Sequence, residues 1–190
     1  MDKTTNILIV GVGGQGTLLA SKIICRAAQL SGFDVKQSEI HGMAQRGGSV
    51  VSHVKFGARV HSSLVEKGQA DLIISFEKLE ALRWVSYLKP TGKIIVNDTE
   101  ISPITVISGA AAYPNDIYEK LKELGTKTII IDAKSIAQKA GELRTQNVAL
   151  LGAAAKLLAI EPAIWQQAIA ELVPAKAKDK NLAAFNRGLE

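Results

Sequence analysis

The most informative short motif of the chain combines four glycines with one glutamine, in the order Gly11-Val12-Gly13-Gly14-Gln15-Gly16. It lies between an apolar run at residues 6–10 and a segment with helical periodicity. Glycines in a strand-to-helix turn permit positive φ and let a ligand approach the backbone. The unpaired N–H groups and the dipole at the start of the helix favour an anion such as phosphate. We therefore predict a cofactor-binding turn that involves Gly11, Gly13, Gly14, Gln15 and Gly16; the alternative is a tight structural turn without a ligand.

A second candidate segment, residues 39–49, places polar and cationic side chains among glycines. A guanidinium such as that of Arg46 binds a carboxylate or a phosphate through two parallel hydrogen bonds. The adjacent glycines would let that group approach the backbone. We predict that Gln45, Arg46, Gly47 and Gly48 face a cofactor or a partner. The alternative is an exposed loop whose glycines serve only its turns.

NAD binding is an alternative that depends on one acidic residue. Dinucleotide-binding enzymes place an acid about 20 residues beyond the glycine turn, at the end of the second strand, to bind a ribose hydroxyl. The nearest candidate is Glu39, which lies beyond the expected end of that strand. The sequence therefore does not favour NAD.

Other kinds of chemistry find little support among the remaining residues. The histidines His41, His53 and His61 do not have a metal-ligand spacing, and Cys25 is the only cysteine, so neither a disulfide nor a cysteine-ligated cluster can form within the chain. Gln15 stands where a nucleophile elbow would need a serine. We predict no metal ligand and no catalytic residue on this chain. His53 is expected to be a solvated strand residue, and Cys25 a small buried hydrophobe.

The elements that must position these residues alternate between apolar runs and helical patterns. Strands are predicted at residues 6–10, 33–37, 49–56, 71–75, 93–97 and 128–131. Helices are predicted at residues 14–31, 77–88 and 116–124 and from residue 134 onward. We expect a loop at residues 38–48, a half-exposed third strand with His53 and Lys55 on its outer face, and a hairpin turn at Gly57 and Ala58. This order predicts an α/β fold: a Rossmann-like, mostly parallel sheet with helices on both faces, one antiparallel hairpin insertion and a helical C-terminus.

Length and composition exclude several functional classes. A chain of 190 residues with 47% hydrophobic content predicts a single domain over residues 1–190, with residues 175–190 as a candidate docking tail. The net charge of +5 is spread along the sequence and aromatic residues make up only 5%, so we expect no nucleic-acid partner. No apolar stretch reaches the roughly 20 residues that a membrane span needs. A polar start without a signal-peptide pattern and the single cysteine lead us to expect a cytoplasmic protein.

Four segments taken together resemble the gamma-type subunits of 2-oxoacid:ferredoxin oxidoreductases: NILIVGVGGQG, MAQRGGSVVSHVKFG, ADLIISFEKLEALR and NVALLGAAAKLL. The resemblance covers residues 6–158. The combination of GGQG with AQRGG is much more specific than either motif alone. The branch that the chain resembles most is the beta subunit of indolepyruvate:ferredoxin oxidoreductases.

The resemblance implies a subunit of a complex that oxidatively decarboxylates a 2-oxoacid, here an arylpyruvate, to an acyl-CoA and passes electrons to ferredoxin. It places thiamine diphosphate, Mg and the iron–sulfur clusters on a partner subunit. The chain itself would complete the assembly and line the region where CoA or substrate approaches, so we expect it to be inactive alone. Two alternatives stay open: a free-standing NAD- or FAD-dependent oxidoreductase, for which the chain is too short to supply a second domain, and a non-enzymatic nucleotide-binding module.

Overall fold

The computed structural model of the protein describes residues 4–41 and 48–190. The strands within this part of the chain are β1 (Thr5–Val12), β2 (Asp34–His41), β3 (Ser49–Gly57), β4 (Ala70–Ser75), β5 (Leu88–Asn97) and β6 (Lys127–Ile131). The helices are α1 (Thr17–Leu30), α2 (Lys78–Trp84), α3 (Ile104–Ile107), α4 (Ile117–Glu123), α5 (Ala133–Lys139), α6 (Gln146–Ala155), α7 (Pro162–Leu172) and α8 (Lys178–Leu189).

The strands form one mixed sheet in the order β2-β3-β1-β4-β5-β6. The pairs β1–β4, β4–β5 and β5–β6 are parallel, and β3 runs antiparallel to both β1 and β2. The apolar run of β1 is buried on both faces, as expected of a central strand in a mostly parallel sheet. The α/β prediction, with its antiparallel insertion and helical C-terminus, is confirmed.

Two details of the predicted insertion are wrong. The strand β2 extends to His41, so the chain is still paired with β3 where the sequence predicts the loop at residues 38–48 to begin. Strand β3 pairs antiparallel with β2 and with β1, both of which precede it in the chain, and not with a strand that follows it. Gly57 and Ala58 therefore do not form the hairpin turn; they lead into the connection to β4. Glycine content alone did not show which strand pairs with β3.

The third strand is also more buried than its alternating pattern suggests. Residues 50–54 of β3 are all buried, because α1 packs on one face of the strand and the segment around Val65 lies against the other. The prediction of a half-exposed strand is therefore wrong. An alternating strand is buried on both faces when other elements pack on each side of the sheet.

Helices cover the two faces of the sheet unequally. Helices α1, α6, α7 and α8 pack on the face to which Ile7 and Ile9 point. The rings of Trp165 and Phe185 stack within this layer, with their centroids 6.1 Å apart. Helices α2 and α4 cover the opposite face, where Leu8 and Val10 belong to a smaller cluster. One strand thus supplies both cores through its period of two residues.

The C-terminal helix α8 packs directly on the backbone of α6. A Cβ atom at Gly188 would lie 2.1 Å from the carbonyl oxygen of Ala149, and one at Gly152 would lie 2.2 Å from that of Phe185. Such distances leave no room for a side chain, so the two helices need glycine where they cross. Whether residues 175–190 also dock against another chain stays a prediction. Among the described residues, we find no helix with the length and apolar character that a bilayer crossing requires.

Candidate functional site

The glycine turn lies at the topological switch point of the sheet. From β1 the chain passes through α1 to β2 on one side, whereas β4 pairs with β1 on the other side. Open α/β sheets bind ligands in the crevice at the carboxyl ends of strands that diverge in this way. The position of the turn thus agrees with a ligand-binding role.

The backbone of the turn depends on glycine at two positions. Gly14 has φ 100° and is exposed, and Gly16 has φ 79° and forms the N-cap of α1. Both values lie in the left-handed region, which glycine enters without a steric cost. The first intrahelical hydrogen bond runs from Ala20 N to Gly16 O at 3.1 Å, so the preceding amides of the helix have no partner within α1.

Gln15 braces this turn from within. Its Oε1 accepts a hydrogen bond from Val12 N at 2.7 Å, and its Nε2 donates to Phe76 O at 2.8 Å. Because Phe76 follows directly after β4, one side chain joins the carboxyl ends of β1 and β4. The amide of Gln15 is thereby engaged in the fold, and its contact with a ligand stays a prediction.

The structure brings the two predicted segments together. Gly13 N donates a hydrogen bond to Gly48 O at 3.0 Å, so the end of the second segment lies against the glycine turn. Gly11, Gly13, Gly14, Gln15, Gly16 and Gly48 therefore share one region. Gln45, Arg46 and Gly47 lie outside the described residues.

The position of Glu39 argues against the NAD alternative. Glu39 lies within β2, opposite Ser52 of β3, and not in the loop where the sequence places it. Since β3 separates β2 from β1, the end of β2 is two strand spacings, roughly 9–10 Å, from the glycine turn. In a dinucleotide site the acid follows a strand that is adjacent to the turn.

A cleft of about 330 Å³ opens at the same edge of the sheet, and its floor contains two carboxylates that the sequence analysis missed. Glu77 is 1% exposed and Glu80 is 3% exposed. Glu77 Oε2 caps α2 by accepting from Glu80 N at 2.9 Å, while its Oε1 accepts from Tyr113 OH at 2.5 Å and from Ile101 N at 3.2 Å. Glu77 therefore connects α2 with the segment that follows β5.

Glu80 anchors the start of β3, where the second predicted segment ends. Its Oε2 accepts a hydrogen bond from Ser49 Oγ at 2.5 Å, and its Oε1 lies 3.4 Å from Arg83 Nε. Burial raises the pKa of Glu80, against the opposing effects of the Ser49 hydrogen bond and the Arg83 charge. A carboxyl group is thus held in a poorly solvated position next to Gly48.

Asn97 completes the polar contacts at the carboxyl ends of the strands. It is 3% exposed, its Oδ1 accepts from Ala133 N at 3.1 Å, and its Nδ2 donates to Thr99 Oγ1 at 2.9 Å. We call Gln15, Glu77, Glu80 and Asn97 the carboxyl-edge network. Position in the sequence could have identified two of these residues. Glu77 and Asn97 stand at or just beyond the ends of apolar runs in a predicted parallel sheet.

Burial contradicts the side-chain prediction for His53 and confirms the one for Cys25. His53 is 3% exposed and its Nδ1 accepts from Val65 N at 3.1 Å, so the prediction of a solvated residue is wrong. Burial lowers the pKa of this imidazole. Cys25 lies in the apolar core, and burial raises the pKa of its thiol to about 12, as expected of a small buried hydrophobe. Within residues 4–41 and 48–190, no group of three or more potential ligands is arranged to hold a metal ion.

A second cleft, of about 410 Å³, lies on the α1 side of the glycine turn and carries basic side chains. Its lining includes Arg144, Lys176 and Lys180, together with Asn147, whose Nδ2 lies 3.5 Å from Gly16 O. Arg144 and Lys180 both approach Glu142, and the hydrogen bonds from Arg144 hold the pKa of Glu142 at about 2. Three cations against one carboxylate make this cleft attractive to an anion.

Comparison with known proteins assigns this architecture to a family. The family model described as pyruvate ferredoxin/flavodoxin oxidoreductase matches residues 6–190. The chain is 40% identical over 193 residues to the indolepyruvate oxidoreductase subunit IorB of Thermococcus kodakarensis, covering 99% of this chain and 96% of that protein. It is 30% identical over 185 residues to the pyruvate/ketoisovalerate oxidoreductases common subunit gamma of Pyrococcus furiosus, with 95% and 92% covered.

Solved structures share the fold at lower sequence identity. Pyruvate oxidoreductase subunit PORC of Thermotoga maritima superposes with a TM-score of 0.75 at 21% identity, over 98% of this chain and 95% of that one. The 2-oxoglutarate:ferredoxin oxidoreductase of Magnetococcus marinus, solved with 2-oxoglutarate, coenzyme A and succinyl-CoA bound, has a TM-score of 0.75 at 18% identity. The match covers 100% of this chain but 31% of that protein, so the same fold also occurs within a much longer polypeptide.

Proposed function

The chain belongs to the pyruvate ferredoxin/flavodoxin oxidoreductase family, and from this premise we propose that it is the gamma-type subunit of a 2-oxoacid:ferredoxin oxidoreductase. The complex decarboxylates a 2-oxoacid oxidatively, forms an acyl-CoA and delivers the electrons to ferredoxin. The observation that carries this proposal is 40% identity to a subunit of an indolepyruvate oxidoreductase over almost the full length of both chains. The same observation favours indolepyruvate or another arylpyruvate as the substrate.

The chain does not act alone in this proposal. Iron–sulfur clusters are held by several cysteine thiolates, whereas this sequence contains only Cys25, which is buried. We assign the clusters, thiamine diphosphate and Mg to a partner subunit, with ferredoxin as the acceptor of its electrons. The residues of the present chain bind and orient a ligand or the partner subunit. The isolated chain is therefore inactive.

Contact with coenzyme A is the most specific binding role that we assign to this chain. The glycine turn offers unpaired helix amides, and the basic cleft of Arg144, Lys176 and Lys180 adds positive charge on one side of that turn. Both features suit the phosphates of coenzyme A. The cofactor bound in the Magnetococcus marinus protein, which contains the same fold, supports this choice. Gln45, Arg46, Gly47 and Gly48 are assigned to the same ligand or to the partner.

The test of this proposal begins with the chain alone and continues with the assembled complex. The purified chain should show neither iron–sulfur absorption nor ferredoxin reduction. Addition of the partner that carries thiamine diphosphate should restore reduction that depends on both indolepyruvate and coenzyme A. An isolated chain that oxidises a substrate with NAD or FAD would support the free-standing oxidoreductase instead.

Arg46 provides a sharper variant for the same assay. Arg46→Ala should change the stability of the free chain by no more than about 0.5 kcal/mol, because the proposal assigns this side chain to a ligand or the partner and not to the core. In the complex it removes charge-assisted hydrogen bonds worth roughly 1.5–3 kcal/mol, so activity or coenzyme A affinity should fall roughly ten- to a hundredfold. Arg46→Lys should restore only part, because an ammonium keeps the charge without the planar fork.

A matched control is Arg59→Ala, since Arg59 is exposed and follows β3 at the opposite edge of the sheet. This variant should assay like the wild type. If Arg46→Ala also reaches the wild-type rate and affinity, the assigned role of Arg46 is wrong while the family-level function stands.

A further inference from the structure

An uncharged segment follows the fifth strand and differs in composition from the rest of the surface. Residues 101–115 contain no charged side chain, although charged residues make up 22% of the sequence. Within it, Ile104 and Ile107 are 73% and 70% exposed, which makes them the most exposed large hydrophobic side chains of the described residues. We call residues 101–112 the isoleucine ridge.

The two isoleucines point in the same direction. They stand three residues apart on the single turn of α3, a spacing that places side chains on one face of a helix. Burying an isoleucine that is otherwise exposed to water is strongly favourable. An exposed apolar pair at this spacing is therefore typical of a contact surface rather than of a solvated loop.

The ridge is held in a defined position by the carboxyl-edge network. Glu77, which is almost fully buried, accepts hydrogen bonds from Ile101 N at 3.2 Å and from Tyr113 OH at 2.5 Å. One carboxylate thus fixes the chain on both sides of the exposed turn. Ala111 N also donates to Thr105 O at 3.0 Å within the ridge. A surface fixed in advance loses little conformational entropy on binding.

The charges next to the ridge are already paired within the chain. On its N-terminal side, Glu100 forms an ion pair with Lys78 at 3.0 Å. On its C-terminal side, Asp116 forms one with Lys120 at 2.9 Å. The ridge therefore offers no strong unpaired charge to an oppositely charged partner. Its complement is an apolar, uncharged surface, the kind found at the centre of stable subunit interfaces.

The location of the ridge connects it with the glycine turn. Ile104 and Ile107 line the same 330 Å³ cleft as Val12, Gly48 and Glu80. A partner that covers the ridge would therefore also close this edge of the sheet. Such closure would exclude water from the place where the chain is proposed to contact coenzyme A.

We propose that the isoleucine ridge is a docking element that inserts into an uncharged, apolar surface of the subunit carrying thiamine diphosphate. This inference rests on the proposed function, because it takes the partner from the complex. It adds which face of the chain meets that partner: the carboxyl edge of the sheet, through Ile104 and Ile107. A second copy of this chain is the competing occupant.

The first experiment maps the interface by cysteine labelling. Ile104→Cys is compared with Leu124→Cys, because Leu124 is 60% exposed and lies beyond α4, at the cleft near the N-terminal end of β5. Both variants are treated with a maleimide, free and in the purified complex, and the labelling of this chain is read by mass spectrometry. The native Cys25 is buried and gives a low background. We expect the complex to slow labelling at position 104 by about tenfold or more and to leave position 124 unchanged.

The second experiment measures affinity for the same partner. Ile104→Ser combined with Ile107→Ser should raise the Kd for the thiamine-containing subunit by about tenfold or more, whereas Leu124→Ser should not change it. The melting temperature of the free chain should stay at the wild-type value, because these side chains lie outside both cores. A double variant that has lost its fold would be recognised by that melt, and the labelling experiment then decides.

The remaining outcomes separate the inference from the proposed function. If the wild-type complex is active but Ile104→Cys is labelled in its complex as fast as in the free chain, the docking role is overturned and the proposed function stays intact. If maleimide labelling of Ile104→Cys in the free chain slows as the concentration of the chain rises, a second copy covers the ridge. This result also overturns the proposal. If no thiamine-containing subunit binds the wild-type chain, the proposed function and the inference fail together.

Discussion

The helical layer formed by α1, α6, α7 and α8 and the carboxyl edge of the sheet are built on opposite principles. The layer is apolar, and its tightest contact is the crossing of α6 and α8 at Gly152 and Gly188. The carboxyl edge instead holds polar groups, among them the half-buried Gln15 and the buried Glu77 and Glu80, and satisfies them with hydrogen bonds to backbone and side chains. Both regions are closely packed and each borders a cleft: the edge surrounds the one that contains Glu77 and Glu80, and the layer borders the basic one.

The difference separates a region that supplies stability from one that fixes geometry. Apolar packing is favourable for almost any arrangement that fills space, whereas a buried carboxylate is tolerated only when its partners are correctly placed. The polar edge therefore costs stability that the helical layer must provide. Functional sites commonly show this division, with a rigid scaffold that supports a less stable constellation.

The largest effect should come from filling the helix crossing. Gly188→Ala places a methyl group 2.1 Å from the carbonyl oxygen of Ala149, so α8 must move away from α6. Overpacking against backbone should cost about 3 kcal/mol, or roughly 6–12 °C in Tm for a chain of this size. Arg187→Ala changes the neighbouring exposed residue of the same helix and should melt like the wild type. An unchanged Tm for Gly188→Ala would show that the crossing is looser than the structure indicates.

A smaller loss is expected where Gln15 joins the two strands. Gln15→Ala removes the acceptor of Val12 N and the donor to Phe76 O, and Val12 is only 6% exposed. Leaving a buried amide without its partner should cost about 2 kcal/mol. Hydrogen exchange at Val12 should also become faster, while amides of α8 keep their protection relative to global unfolding. Equal exchange at Val12 in both proteins would contradict the bracing role.

The third effect depends on pH and concerns Glu80. Burial raises the folded-state pKa of Glu80, so between the ordinary carboxyl pKa and this raised pKa the folded state binds more protons than the unfolded state. The contribution of Glu80 to stability is therefore largest at low pH and declines as the pH rises through this window. Glu80→Gln lacks that decline and should gain in Tm relative to wild type from about pH 4 upward. Parallel Tm curves for the two proteins would show that Glu80 is well solvated.

The smallest effect concerns Cys25 in the helical layer, whose thiol should hardly react with a thiol reagent in the folded protein. Burial holds the thiol pKa of Cys25 at about 12, so at neutral pH almost no thiolate is present and access is blocked as well. A thiol reagent at pH 7.5 should label the native chain very slowly and the denatured chain quickly. Rapid labelling of the native chain would indicate that the layer opens far more readily than its packing suggests.

The predictable part of the fold came from short, strong patterns. The apolar runs that became β1, β4, β5 and β6 are bounded by polar or turn residues, and their alternation with helical patterns indicates a parallel sheet. The glycine turn could be placed because its glycines stand between a strand and a helix. Local composition was enough in both cases, because each signal lies within about ten residues.

The main errors concern β2 and β3, although the helix predicted at residues 77–88 also extends beyond the end of α2 at Trp84. The sequence suggested that residues 38–48 form a loop and that His53 faces solvent, yet β2 continues to His41 and His53 is buried. Both results follow from tertiary packing: pairing with β3 extends β2, and the segment around Val65 covers the face of β3 on which His53 lies. An alternating pattern reports one apolar face, but it does not say whether the other face is later covered.

The sequence by itself determined the fold class, the glycine turn and the family, because each depends on local periodicity or on short motifs. Only the tertiary structure decided which residues meet at the carboxyl edge. Glu77 and Glu80 at the start of α2, Asn97 at the end of β5 and Tyr113 beyond it lie on three different segments, and no spacing along the chain brings all of them together. Their proximity arises because parallel strands deliver all their carboxyl ends to the same edge of the sheet, and the strand order then selects which ends are neighbours.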